Sequence, residues 1–154
     1  MMLEPGDAIP AVTLMDMEGV EFALDHYSGK PLVVYFYPKA DTPGCTNEAK
    51  DFTALADEYA AAGVPVIGIS RDKPAKLKKF SEKYGLSVIL ASDEPGDACA
   101  AFGTWVEKSL YGRTYMGIER ATFLFGAQGK VQRIWRKVKV KGHAAEVLEA
   151  ARAL

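Results

Sequence analysis

The stretch of this sequence richest in chemistry is Pro38-Lys39-Ala40-Asp41-Thr42-Pro43-Gly44-Cys45-Thr46-Asn47-Glu48. Thr42 is a favoured N-cap residue, and Pro43 suits the first helical position, where its missing N–H is not needed. Counting from there, Cys45 is the third helical residue, inside the first turn. Unpaired backbone N–H groups and the positive end of the helix dipole converge at that turn. A thiol placed there has its thiolate stabilised, and the thiolate is the nucleophile. The competing reading of Cys45 is a small buried hydrophobe, a common fate of free cysteine.

Glu48 lies one turn after Cys45 and by itself opposes a thiolate. A nucleophilic Cys45 therefore needs a cation nearby. Arg120, in Gly117-Ile118-Glu119-Arg120-Ala121-Thr122-Phe123, is the candidate. It enters a strongly apolar strand, where a charge requires a specific partner. A buried Arg120–Glu48 pair beside the sulfur would satisfy both residues; an arginine exposed at the strand edge is the plainer alternative.

Other chemistries lack their residues. A dithiol redox pair needs Cys-x-x-Cys, and position 48 is Glu. Cysteine-protease chemistry needs a histidine base, and His26 and His143 both read as surface residues, one in an N-terminal loop and one at the start of the last helix. No ligands cluster at metal spacing, so neither metal nor cofactor is expected. Gly112-Arg113-Thr114-Tyr115-Met116-Gly117 has neither Walker nor dinucleotide-fingerprint spacing, which counts against a flavodoxin-like nucleotide binder.

The elements that must position Cys45 follow from periodicity. Ala11–Leu14 and Val20–Leu24 flank Asp16-Met17-Glu18-Gly19 and predict a small hairpin. Leu32–Tyr37 is continuously apolar, as a central strand buried on both faces would be, and Pro38 ends it. From Thr42 to about Ala61 the period is helical, with Ala49, Phe52, Leu55, Ala56, Tyr59 and Ala60 on one stripe and Gly63 as the stop. Val64–Ser70 reads as a second buried strand, Pro74–Tyr84 as a helix closed by Gly85, and Leu86–Leu90 as a shorter strand. Asp97–Phe102 reads as a short helix ended by Gly103. Thr122–Phe125 and Val131–Trp135 form a late hairpin across Gly126–Gly129, and about His143 to Ala153 form a terminal helix. The pattern predicts an α/β fold, a mixed sheet with helices on both faces. Cys45 would then sit at the carboxyl end of the sheet, where open α/β folds place their sites.

Composition narrows the rest. The chain has 154 residues, 49% hydrophobic and 25% charged, with 19 Lys+Arg against 20 Asp+Glu. That length fits one domain over 1–154, able to bury roughly two thirds of its unfolded surface without staples or metal. Balanced charge argues against nucleic-acid and anionic-membrane partners. Lys73, Lys76, Lys78, Lys79 and Lys83 read as a solvated helix face, and the basic run from Lys130 to Lys141 as the wet face of a strand. The longest apolar run is far short of the about 20 residues a membrane span needs. With no signal-peptide pattern at the start, a cytoplasmic protein is expected. Two cysteines are too few for a disulfide scaffold, so Cys45 and Cys99 are there for burial or reactivity.

The Pro38, Thr42, Cys45 spacing, Pro-x-x-x-Thr-x-x-Cys, together with Arg120, resembles the peroxiredoxins. The match is nearer to the bacterioferritin comigratory protein or peroxiredoxin Q branch. It runs through Phe36-Tyr37-Pro38-Lys39, Ile69-Ser70-Arg71-Asp72, Ser92-Asp93-Glu94, and Glu107-Lys108 followed by Tyr111 to Ile118. The resemblance implies a thioredoxin-like fold with an added N-terminal β-hairpin, and a monomer. It implies a thiol peroxidase acting on hydrogen peroxide and organic hydroperoxides in antioxidant defence. Cys45 would be oxidised to a sulfenic acid, Thr42 and Arg120 would hold the peroxide, Pro38 would shield the sulfur and Glu48 would orient Arg120. The reductant would be an external thiol such as thioredoxin or glutaredoxin. Many members of the branch carry a resolving cysteine five residues after the first, where this chain has Lys50. Others carry it in the next long helix, where Ser81 is the nearest candidate. Two mechanisms stay open: a one-cysteine enzyme, or resolution by Cys99 after local unfolding. The alternative function is a peroxide-responsive sensor or binding module on the same fold without efficient turnover.

Overall fold

The computed structural model describes residues 2–154. In chain order its elements are β1 (Thr13–Met15), β2 (Glu21–Ala23), a 3-10 turn (Leu24–Tyr27), β3 (Leu32–Phe36), α1 (Pro43–Ala54), α2 (Ala56–Ala61), β4 (Val66–Ser70), α3 (Pro74–Tyr84), β5 (Ile89–Ser92), α4 (Asp97–Phe102), β6 (Trp105–Leu110), β7 (Arg113–Ile118), β8 (Ala121–Phe125), β9 (Val131–Trp135) and α5 (His143–Arg152). Seven strands form one mixed sheet in the order β2-β1-β5-β4-β3-β8-β9. β3, β4 and β5 run parallel, and β1, β8 and β9 join antiparallel.

β3 lies inside this sheet and every residue of it is buried. Alternate side chains of a strand face opposite ways, so its apolar run feeds two cores. Val33, Tyr35 and Tyr37 join Phe52 of α1, Leu77 and Phe80 of α3, and Val147 and Leu148 of α5. Leu32, Val34 and Phe36 join Ile67 and Ile69 of β4 and Cys99 and Phe102 of α4. Gly68 of β4 leaves room for the Tyr35 ring: a Cβ there would stand 2.6 Å from Tyr35 Cζ.

Four sequence expectations change. The helix expected from Thr42 to Ala61 is two helices, because the Leu55 N–H turns to the Phe52 carbonyl at 3.2 Å and tightens the chain. The stripe survives the break, with Phe52 and Tyr59 both in one core, so periodicity cannot show it. The strand expected at Leu86–Leu90 is Ile89–Ser92. Leu86 and Ser87 are spent on the exit from α3, their N–H groups donating to Ser81 O and Thr53 Oγ1. The basic run after Lys130 is strand only to Trp135, and Arg136 turns inward to the carbonyls of Phe102 and Gly103.

The fourth change is an addition. β6 and β7 pair as a separate two-stranded sheet joined by Tyr111 (φ 51°) and Gly112 (φ 77°), both in the left-handed region that a two-residue hairpin turn requires. Trp105, Leu110, Tyr111, Tyr115 and Met116 on it are exposed, so no inward-facing apolar face announces these strands in the sequence. The α3 lysines behave as expected: Leu77 and Phe80 are buried, while Lys73, Lys78, Lys79 and Lys83 are exposed. Among the described residues no helix is long and apolar enough to cross a membrane.

Candidate active site

β3 ends at Phe36, and the chain turns through Pro38–Asp41 into α1. Thr42 has extended backbone, Pro43 takes the first helical position and Cys45 the third. The first intrahelical bond is Thr46 N–H to Thr42 O at 2.8 Å. The N–H groups of Gly44 and Cys45 precede it and have no partner in the turn. Cys45 is buried at 2% exposure with its sulfur at this helix end.

Thr42 departs from the expected cap. Its side chain makes no bond to the helix; Oγ1 donates instead to Lys39 O at 2.7 Å. With its proton committed there, the oxygen is left as an acceptor toward the site.

Arg120 lies just before β8, the strand paired with β3, and so reaches the carboxyl end of β3 where α1 begins. Its Nη1 donates to Glu48 Oε1 at 2.7 Å and its Nη2 to Cys45 Sγ at 3.4 Å. The Arg120 side chain is 17% exposed and that of Glu48 1%. The pair expected from the sequence is present, and it touches the sulfur. Gly44 makes the approach possible, since a Cβ there would lie 3.1 Å from Arg120 Nη2. Nothing in the sequence distinguishes this glycine from a turn residue.

Burial pushes the Glu48 carboxyl up to about 7, against the pull of Arg120. Arg120 itself is pushed up, the nearby Glu48 and Cys45 outweighing its burial. Above about 7 the Glu48 carboxylate is ionised and pairs with the Arg120 guanidinium, which holds one of its oxygens at 2.7 Å. Glu48 Oε2, Tyr35 Oη and Tyr37 Oη are buried without hydrogen bonds. Burial keeps both phenols neutral.

Pro38 is exposed beside this centre. It lines a groove of ≈ 570 Å³ with Lys39, Trp105, Lys108, Met116 and Ile118, so one wall is the β6–β7 hairpin. A second cavity, of ≈ 350 Å³, opens between Lys30, Tyr59, Val64 and Val88 and is lined by neither cysteine.

The structure does not bring Cys99 to Cys45. Cys45 belongs to the core under α1, α3 and α5, Cys99 to the core under α4, and the sheet lies between. Both are free thiols. His143, expected at the surface, is buried at 6% exposure, its Nε2 sharing a 2.7 Å hydrogen bond with Thr122 Oγ1. It faces in because the α5 stripe packs on the sheet from its first residue, against Phe52 and Trp135. Burial pushes its pKa down to about 4, so it is neutral. His26 is exposed as expected. Among the described residues no group of His, Cys, Asp and Glu is placed to hold a metal.

The AhpC/TSA family profile matches residues 5–134. Peroxiredoxin Bcp of Escherichia coli is 45% identical over 95% of this chain and 94% of its own length. Peroxiredoxin Bcp of Bacillus subtilis is 43% identical over 97% and 95%. The bacterioferritin comigratory protein of Xanthomonas campestris, solved in trapped-intermediate and ligand complexes that bear on its alkyl peroxide reduction, superposes with a TM-score of 0.90 at 44% identity, covering 98% of this chain and 96% of that one. PrxQ of Xylella fastidiosa gives 0.93 at 36% identity over 99% and 98%.

Proposed function

The chain belongs to the AhpC/TSA family and is a thiol-dependent peroxidase, and from that premise we propose that Cys45 is the residue peroxide oxidises. The observation that carries this reading is the Arg120 guanidinium, fixed by Glu48 on one side and in contact with the Cys45 sulfur on the other.

The Cys45 thiolate attacks the terminal oxygen of the hydroperoxide. The S–O bond forms as the O–O bond breaks, sulfur is oxidised to the sulfenic acid, and the departing alkoxide takes a proton to become the alcohol or water. Negative charge moves from sulfur onto the leaving oxygen. Arg120 and the free N–H groups of Gly44 and Cys45 are already oriented to receive it, which is how preorganised donors lower such barriers. Thr42 Oγ1, with its proton given to Lys39 O, accepts the peroxide O–H and aligns the O–O bond. Pro38 shields the sulfur from bulk water, and the groove beside it accommodates the organic part of an alkyl hydroperoxide. Glu48 positions Arg120.

The sulfenic acid is reduced by an external thiol in a one-cysteine cycle. Support comes from Lys50 and Ser81 at the places where a resolving cysteine would stand and from the sheet between Cys45 and Cys99. Thioredoxin or glutaredoxin would serve as donor to a cytoplasmic, monomeric enzyme made of one domain.

The test is steady-state peroxide consumption with a thiol donor, for wild type and Cys45→Ser. Saturable turnover in the wild type and none in the variant is expected; equal rates would sink the assignment. Slow oxidation without turnover would turn the reading to a sensor.

A further inference from the structure

Cys45 is 2% exposed. A peroxide is small enough to enter beside Pro38, but a reducing thiol carried on a protein has to reach the sulfur itself. The turn that holds Cys45 must therefore open once in each cycle. What holds it shut is visible in the loop before it.

Two carboxylates pin that loop. On the inner side Asp72, two residues past β4 and 10% exposed, accepts from Ala40 N–H at 2.8 Å and from Ser70 Oγ at 2.7 Å. On the outer side Asp41, held in the left-handed region at φ 60°, accepts from Tyr84 Oη at 2.5 Å and from Lys83 Nζ at 3.0 Å. Both of those partners are on α3. The Tyr84 ring is itself anchored, edge-on to Phe80 at 5.7 Å and beneath Lys50 Nζ of α1 at 5.1 Å. Tyr84 thus ties the loop before Cys45 and the helix after it to the same point on α3.

The two anchors differ in strength. Asp72 is nearly buried, whereas Asp41 is 37% and Lys83 58% exposed, and exposed ion pairs are weak. The outer contacts give way first. Without them the stretch from Asp41 to Cys45 keeps the Thr46 N–H to Thr42 O bond and the Arg120 contact to the sulfur, and loses its tie to α3.

We propose that the Asp41–Tyr84–Lys83 contacts form a latch that sets how often the Cys45 turn opens to the reducing thiol. This makes Asp41 and Tyr84 positioning residues for the reductive half of the cycle, and it rests on Cys45 being the oxidised residue. In the open state the thiol sulfur attacks the sulfenic sulfur, an S–S bond forms and water leaves. A second thiol then breaks that bond, returning the Cys45 thiol and leaving the donor as its disulfide. In the closed state a second peroxide instead oxidises the sulfenic acid to the sulfinic acid. The latch therefore divides the sulfenic acid between recovery and inactivation.

Tyr84→Phe removes the hydroxyl and keeps the ring under Lys50; Asp41→Asn removes the charge and tolerates the left-handed backbone. Each protein is treated with one equivalent of hydrogen peroxide and mixed with 2-nitro-5-thiobenzoate, whose absorbance falls as the mixed disulfide forms. The variants should react about three- to tenfold faster than wild type, the scale of one lost hydrogen bond. Under excess peroxide they should accumulate less sulfinic acid. In parallel, the reduced proteins are labelled with iodoacetamide and mapped. Labelling of Cys45 should accelerate by a similar factor while Cys99 stays unlabelled, which separates a local opening from general loosening. Unchanged rates at Cys45, or equal acceleration at Cys45 and Cys99, would overturn the latch. If wild-type Cys45 formed no sulfenic acid, the peroxidase assignment would fall, and the labelling would still decide the latch.

Discussion

Cys45 and Cys99 are equally hidden, at 2% and 0% exposure, on opposite sides of one sheet. Their neighbours differ in sign. Around Cys45 stand a guanidinium and two unpaired N–H groups at a helix start. Around Cys99 stands the buried Asp93 carboxylate, which accepts the N–H groups of Ala98 and Cys99 at 3.0 and 2.8 Å. The N–H groups at the start of α4 are thus already consumed by a side chain, whereas those at the start of α1 are free. Burial, followed by Asp93, pushes the Cys99 thiol far above its usual range and keeps it protonated. Burial alone does not decide whether a cysteine reacts; the sign of the charge built beside it does.

The two faces carry a matching pair of arginines, and these give the largest test of the contrast. Arg120 donates to Cys45 and Glu48. Arg136 donates to the Phe102 and Gly103 carbonyls at the end of α4 and lies over the Phe123 ring at 5.4 Å. Arg120→Met should lower the rate of Cys45 oxidation by peroxide about 10²–10³-fold, the usual cost of removing one preorganised charge donor. Arg136→Met should leave that rate within about twofold and lower the melting temperature instead, because its contacts are to the end of α4, the Phe123 ring and Glu119 rather than to Cys45. Rapid-mixing fluorescence and thermal denaturation read the two effects. Similar kinetic losses in both variants would erase the distinction between the faces.

Glu48 gives the next effect. Its carboxyl is pushed up to about 7 by burial, from an ordinary value of 4.5. The folded state therefore holds a proton that the unfolded state releases between pH 4.5 and 7. Its contribution to stability is fully present below pH 4.5 and is lost as pH rises through about 7. Glu48→Gln removes this dependence. Relative to the variant, wild type should lose on the order of 1–3 kcal/mol between pH 5 and 8 in urea denaturation. Parallel stability curves for the two proteins would show that the arginine keeps Glu48 ionised throughout. The variant should also oxidise more slowly, since Arg120 keeps an amide oxygen as acceptor but loses the carboxylate charge that holds it.

Much of this site was legible because its signals are local. The Thr42-Pro43-Gly44-Cys45 order fixed the cysteine's place in the first turn, and α3 and α4 start and stop where Pro74, Gly85 and Gly103 say they should. Arg120 and Glu48 could be paired before the structure because each is a charge in an apolar context that needs an opposite. The hidden parts depend on distant partners. Tyr84 and Asp41 are 43 positions apart, and neither is unusual for its own element. His143 looked polar enough for the surface until Thr122 of β8 supplied its hydrogen bond. The β6–β7 hairpin escaped because its apolar residues face outward, where alternation carries no signal.

The smallest effect is the one that most directly separates the two cysteines. Cys99 fills a place under α4 between Phe102 and the sheet, with no exposure and its N–H held by the Asp93 carboxylate. Its removal should act through packing and nothing else. Cys99→Ala deletes one buried methylene-sized group, which costs about 1 kcal/mol of stability, and should leave peroxide turnover within about twofold of wild type. The urea midpoint reads the first and steady-state kinetics with an external thiol the second. A fall in turnover at unchanged stability, or a Cys45–Cys99 disulfide in non-reducing peptide maps after one equivalent of peroxide, would mean that the chain crosses its own sheet during the cycle. Such a crossing requires α1 or α4 to leave the core that holds it. The disulfide geometry demands Cα atoms within about 7 Å of each other, and no opening confined to the loop before Cys45 brings the two faces that close.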